Sequence, residues 1–284
     1  MGLLRAPQCL KGKIRDTLYA TTSPRVISVP DVSTLSQTEI AGAAQEIALP
    51  AGRITPGVVR IGETVRRPAK ASSSFVAELL AHLEARGCSW APRYRGRDAS
   101  GRDVLSYLAG SVPAKWQTFA DHQLRAAAAI VRALHDATAG SKLAPVGVVC
   151  HHDPGPNNFV FRDQLPVALI DFDTAAAGSP LEDLGYMAWA WCLSSNPLRG
   201  QFVAQARQVR VLLDAYGAGA AERAQLPEAI SERLQRNVQF WCDRLEDPGA
   251  ILTAREKLPE LVAWSKAEQQ YIAAHRAELV AALR

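Results

Sequence analysis

The sequence predicts an α+β protein, a small β-rich part followed by a larger, mainly helical one. Three features predict it. Between Ile47 and Leu108, short apolar runs of strand length alternate with Gly and Pro, broken by one helical period. From Thr118 onward, apolar residues recur at three- and four-residue spacing for most of the chain. Between the helical blocks, Val148 to Tyr186 holds two strand-like runs, Asn158 to Arg162 and Pro166 to Ile170, each adjoining a polar segment that carries Asp.

Composition sets the outer limits. A chain of 284 residues with 48% hydrophobic and 21% charged residues is long enough for one large domain or for two lobes, each with its own core. The net charge of +4 comes from 32 basic and 28 acidic residues spread along the chain, without the Lys/Arg block of a nucleic-acid arm. Nucleic acid is therefore not an expected partner. The five cysteines are scattered and form no C-x-x-C pair, which fits a reduced, cytoplasmic setting. The longest uncharged run, Leu184 to Leu198, is about 15 residues against the roughly 20 a membrane span needs, so no membrane contact is expected.

Residues 1–44 are poorly patterned and read as an N-terminal extension, with one strand-like run at Arg25 to Val29. Residues 45–109 read as the first lobe. Gly57 to Ile61 and Thr64 to Pro68 form a hairpin about Gly62-Glu63, and Ser72 to Arg86 is a helix with Phe75, Leu79, Leu80 and Leu83 on one face and Gly87 as its stop. Two further strands, Ala91 to Arg97 and Asp103 to Leu108, flank the turn Asp98-Ala99-Ser100-Gly101. Residues 110–284 read as the second lobe, with a helix from Thr118 to Thr138, one at Val203 to Tyr216, one at Leu226 to Leu245 and a last one at Leu261 to Leu279.

The chemistry concentrates between the helical blocks. His151-His152-Asp153-Pro154-Gly155-Pro156-Asn157-Asn158 reads as H-x-D-x-x-x-x-N, and Ile170-Asp171-Phe172-Asp173 follows the second apolar run after a hairpin at Arg162 to Leu165. A loop Asp, an Asn five residues later and an Asp after a buried strand meet the needs of metal-assisted phosphoryl transfer. One carboxylate receives the acceptor proton and two oxygens hold magnesium. Taken singly, each is an ordinary turn former. Their joint occurrence in this order carries the inference.

These residues, with the continuation Gly178-Ser179-Pro180-Leu181-Glu182-Asp183-Leu184-Gly185-Tyr186, resemble the small-molecule kinases grouped with aminoglycoside phosphotransferases, choline kinases and homoserine kinases. That resemblance implies a bilobal protein-kinase-like fold, ATP and Mg2+ as cofactors and a hydroxyl group on a small molecule as acceptor. Asp153 is implied as catalytic base, Asn158 and Asp171 as metal ligands, His151 as a brace and Asp183 as a bond to loop backbone. Asp173 is left between the second metal and a turn cap.

Nucleotide contacts are implied for Gly52 in the covering loop, for Arg66 or Arg67 where the third strand should supply Lys, and for Ser106 and Leu108 at the hinge. Strand alternation lets only one arginine face the nucleotide, and Arg67 is preferred because it shares a face with Val65. Two solvated arginines on an edge strand remain the alternative. Glu78 stands either as Arg67's partner or as a solvated helix residue. Trp189, Trp191, Trp241 and Trp264 stand as core or as walls of an acceptor pocket. The region from Arg199 onward carries 12 Lys/Arg against 11 Asp/Glu, a balance that argues against a polycationic acceptor. A catalytically weak binding or immunity protein is the competing expectation, favoured by the missing Lys and the weak phosphate loop.

Overall fold

Five antiparallel strands, β1 (Glu46–Ala48), β2 (Val59–Ile61), β3 (Thr64–Arg67), β4 (Tyr94–Arg97) and β5 (Asp103–Ser106), form a sheet of order β1-β2-β3-β5-β4. The structure is a computed structural model and describes residues 45–49, 57–113, 117–247 and 253–284, all within the unit Ala41–Arg284. The expected strand at Arg25 to Val29 and Gly52 lie outside the described residues. A two-residue turn joins β2 to β3, with Gly62 at φ 56°, where any Cβ would be strained. β3 lies inside the sheet between β2 and β5, so Arg66 and Arg67 are not on an edge.

The helix α1 (Ser73–Ala85) lays Val76, Leu79, Leu80 and Leu83 into the core at helical spacing. Beneath it Asp103 is buried. It accepts from Ser73 Oγ and lies 3.3 Å from both Tyr94 Oη and Arg97 Nε, so its charge is compensated.

The chain leaves β5 through Gly110 at φ 148°. A Cβ there would fall 2.5 Å from Phe161 O and Val160 Cγ1. The close approach lets Ser111 exchange two backbone hydrogen bonds with Phe161, at 3.0 and 2.7 Å. The mainly helical part follows: α2 (Asp121–Thr138), β6 (Val148–Cys150), the hairpin β7 (Phe159–Arg162) and β8 (Leu165–Leu169), β9 (Ala176–Gly178), then α3 (Pro180–Met187), α4 (Phe202–Tyr216), α5 (Ala220–Glu246), α6 (Leu258–Ala274) and α7 (Arg276–Leu283). β6 pairs with β9, two three-residue strands too short to read from sequence.

One expectation is corrected and one open alternative is decided. The last helix is two, broken at His275, whose ring stacks on Phe202 at 4.4 Å. Trp189 and Trp191 are fully buried in the π-helical turn after α3, and Trp241 is also buried, so these three are core and not pocket walls. Trp191 packs between Phe119 and Phe159 at 4.6 and 5.1 Å, while Trp264, partly buried, stacks on Trp189. No helix among the described residues is long and apolar enough to cross a membrane.

α3 and α5 touch at backbone distance because residue 185 is Gly. A Cβ there would meet Ala229 backbone atoms at 2.8 Å. Gly185→Ala should therefore force the helices apart and cost about 1–3 kcal/mol, read as a lower midpoint in denaturant unfolding with an unchanged slope.

Candidate functional site

β6 delivers the chain into the segment 151–158, and a single buried carboxylate shapes its first turn. Asp183, in the first turn of α3, accepts from His151 N and His152 N at 2.7 Å each and from His135 Nε2 at 3.0 Å. α3 starts where it does because Ser179 and Glu182 form a capping box, with Pro180 at the first helical position. Burial alone would raise the Asp183 carboxyl, but the hydrogen bonds and positive field from His135 and the His151 side outweigh it, and its pKa is lowered.

His151 joins the two motif segments. Its Nε2 donates to Ile170 O at 3.0 Å, its Nδ1 accepts from Asp153 N at 3.3 Å, and its ring packs on Phe172 at 4.8 Å. Those partners assign the Nε2–H tautomer. His152 occupies the left-handed region at φ 62° and bridges Thr174 O and Glu182 Oε2 at 3.0 and 3.2 Å, which explains a bulky residue there.

The Asp153 carboxylate is held at both ends. Asn158 Nδ2 donates to Oδ2 at 2.9 Å and to the Asp153 carbonyl at 2.8 Å, while the Tyr186 hydroxyl donates to Oδ1. Trp191 Nε1 fixes the loop floor through Pro154 O at 2.9 Å. With its nitrogen committed to Asp153, Asn158 accepts at its side-chain oxygen from Asn157 Nδ2 at 3.1 Å.

Asp171 follows β8 in the left-handed conformation, at φ 65° and ψ 62°, a cost that Asp tolerates and that buried Phe172 anchors. Its side chain is 50% exposed, but protein crowds the remainder. That loss of solvation, followed by the repulsion of Asp173, holds its carboxyl above the usual range. The preceding Ile170 N donates to Asn158 O at 2.9 Å, so Asn158 and Asp171, the two oxygen donors expected to hold magnesium, stand on adjoining backbone.

Of the two arginines, Arg67 is the one that points inward. It bonds Asp173 and lies 3.8 Å from both Asp171 and Asp103. Lys70 Nζ reaches the other Asp173 oxygen at 2.5 Å. Arg66 turns to Asp98 at 3.6 Å on the other face. Glu78 is not Arg67's partner. Its exposed carboxylate lies 3.7 Å from Lys142, because α1 turns that face outward. Ser106 closes β5 against Arg93, and Leu108 lies just beyond it, half-buried.

The sequence pattern offered no reason to single out Lys70, Tyr186 or Asp103 as part of the site, since each contacts it only through the tertiary fold. Among the described residues, one His/Cys/Asp/Glu group is close enough to hold a metal: His135, Cys150 and Asp183, within 4.8 Å of one another. The Asp183 oxygens are taken by backbone N–H groups. The Cys150 thiol, pushed far up by burial, stays protonated and points to Ser179 O at 3.1 Å. This group braces the loop.

The phosphotransferase enzyme family model matches residues 141–226, the segment just described. The trifolitoxin immunity protein of Rhizobium leguminosarum bv. trifolii is 30% identical over 264 residues, spanning 84% of this chain and 98% of that one. The chain belongs to the phosphotransferase enzyme family. Solved structures share the fold of this family member at low identity. A choline/ethanolamine kinase family protein from Mesorhizobium loti superimposes with a TM-score of 0.54 at 18% identity, covering 86% of this chain and 94% of that one. A spectinomycin phosphotransferase, APH(9)-Ia, in complex with ADP and spectinomycin, gives 0.55 at 11% identity, covering 80% and 93%. The fold is thus the bilobal one of protein-kinase-like small-molecule kinases.

Because the Asp183 pKa is depressed in the folded state, its contribution to stability is full above the unfolded value, about 3.9, and is lost as pH falls through the folded one. Asp183→Asn should lower stability at pH 7 by about 3 kcal/mol, the scale for breaking a buried ionic contact. The gap to the parent should narrow as pH drops below about 4. Denaturant titrations of both proteins from pH 7 to pH 3 would check the sign.

Proposed function

We propose that this protein is an ATP-dependent O-phosphotransferase acting on a hydroxyl of a small molecule. The observation that carries this reading is the Asp153 carboxylate, oriented by Asn158 and Tyr186 and tied through His151 to the strand end bearing Asp171. A binding module has no need to orient a carboxylate so closely.

In this reading Asp153 receives the proton of the acceptor hydroxyl as its oxygen bonds to the γ-phosphorus and the bond to the ADP oxygen breaks. Asn158 and Asp171 would hold magnesium. When bound, the ion draws negative charge from the phosphoryl oxygens. Arg67, the inward arginine of β3, is the phosphate-side cation, with Lys70 beside it on the same Asp173 carboxylate. Ser106 and Leu108 border the adenine position, and the ADP in the spectinomycin phosphotransferase structure supports nucleotide use. The division into residues 45–109 and 110–284 follows the backbone pairing of Ser111 with Phe161.

One observation favours the second reading, a catalytically weak binding or immunity protein. The curated relative is named an immunity protein, and the Arg67 that stands in for Lys is already engaged by Asp173. The readings differ in turnover. Asp153→Asn should lower ADP release by at least about a hundredfold while leaving the ATP-induced rise in melting temperature intact. An equally slow parent protein would favour the binder. Asp171→Ala should abolish the magnesium dependence of the ATP-induced thermal shift, and an unchanged dependence would remove it from the metal site.

A further inference from the structure

Arg233 of α5 stands against Tyr186, beside the loop 151–158. Its guanidinium carbon lies 4.4 Å from the centre of the Tyr186 ring, the same ring whose hydroxyl donates to Asp153 Oδ1. Its Nε is buried without a hydrogen-bond partner. Nearby arginines are neutralised: Arg236 lies 2.8 Å from Glu182 and 3.7 Å from Glu232, and Arg276 lies 3.3 Å from Glu228. Among the described residues, no carboxylate pairs with Arg233. Arg244 shares the buried Nε but lies over Phe240, three turns further along the helix from Tyr186.

A partly buried cation without a counter-charge costs free energy, and an aromatic face returns only part of it. Two acidic residues of the same helix, Glu228 and Glu232, are held in those ion pairs, while Asp243 lies about three turns from Arg233 and bonds Gln239 at 2.6 Å. Against the Tyr186 ring itself the uncompensated charge is the positive one of Arg233.

We infer that the acceptor carries an oxyanion, a carboxylate or a phosphate, close to its reacting hydroxyl, and that Arg233 receives it. The inference rests on Asp153 being the base that takes the hydroxyl proton. An anion brought beside the Asp153 carboxylate is repelled unless a cation lies within reach, and the Arg233 fork supplies one suited to bidentate oxyanion binding. Arg233 thus sets specificity.

The test compares acceptors of similar skeleton: gluconate, glucose 6-phosphate, neutral glucose and cationic glucosamine. ADP release is measured, together with the melting temperature of the protein in magnesium and ADP. At least one anion should exceed glucose by about tenfold or more in kcat/KM or in apparent affinity, the worth of one hydrogen bond to a charged group. Which anion leads distinguishes carboxylate from phosphate. Arg233→Gln should erase that preference, and Arg233→Lys, which keeps the charge and the packing stem, should retain most of it.

A preference for glucosamine or glucose, an unchanged preference in Arg233→Gln, or no anion effect in either measurement would overturn the inference. So would an equal fall in acceptor-independent ATP hydrolysis in Arg233→Gln, which would put the guanidinium on the transferring phosphate. An Arg233-dependent thermal shift without any Asp153-dependent ADP release would fail the phosphotransfer reading and keep this one. Turnover without anion preference would do the reverse.

Discussion

The buried Asp183 carboxylate is the contact on which the site depends. Three donors from two separate parts of the chain converge on it: the His135 ring from α2 and the two backbone N–H groups that open the catalytic loop. Backbone N–H groups rarely have a side-chain acceptor inside a protein core, and leaving them unpaired there is costly. Asp183 therefore fixes where His151 begins, and His151 fixes where Asp171 ends. His135 is in turn held by the Tyr216 hydroxyl at 2.8 Å, so the chain of constraint reaches back to α4. The capping box of α3 supports the arrangement from below, because Asp183 can meet both N–H groups only if the helix starts at Pro180.

Charge in the site is unevenly distributed. Around Asp173, Arg67 and Lys70 converge, with Asp171 next to it. The Asp153 carboxylate, by contrast, accepts from the neutral Asn158 amide and the Tyr186 hydroxyl. Those two donors, one at each oxygen, set the direction in which the carboxylate points.

The motif segment was the most legible part of the sequence because its chemistry is local. H-x-D-x-x-x-x-N and the Asp after β8 sit in consecutive elements joined by a two-residue hairpin, and Asp163-Gln164 forms that turn where the polar pair interrupts the apolar runs. Helices with a strong apolar stripe, such as α1 and α2, fall within a few residues of their expected bounds. What could not be read was either too short or set by distant partners. β6 and β9 are three residues each, and they matter because they pair across the loop. Strand alternation with Val65 already favoured Arg67 as the inward arginine, but its partners Asp103, Asp171 and Asp173, far apart in sequence, could not be read. Glu78 failed as its partner because helical position alone does not say which face meets the sheet. The tryptophans stayed open between core and pocket wall because aromatic composition does not distinguish the two; burial decides Trp189, Trp191 and Trp241 as core.

Gly110 and the backbone pair between Ser111 and Phe161 have a mechanical consequence. The segment that leaves the five-stranded sheet is stitched to β7 immediately after Gly110, and β7 begins one residue after Asn158. Ser111 is thereby fixed to β7, but it is not the sole tie: Leu169 N of β8 donates to Trp90 O at 2.8 Å, and Arg67 and Lys70 both hold Asp173. Any rotation of the sheet over the loop 151–158 has to release the Asp173 carboxylate while the backbone turns near Gly110, where the conformation is closed to other residues. Asp173 would then act as a latch, and an anion that drew Arg67 and Lys70 away from it would lift it.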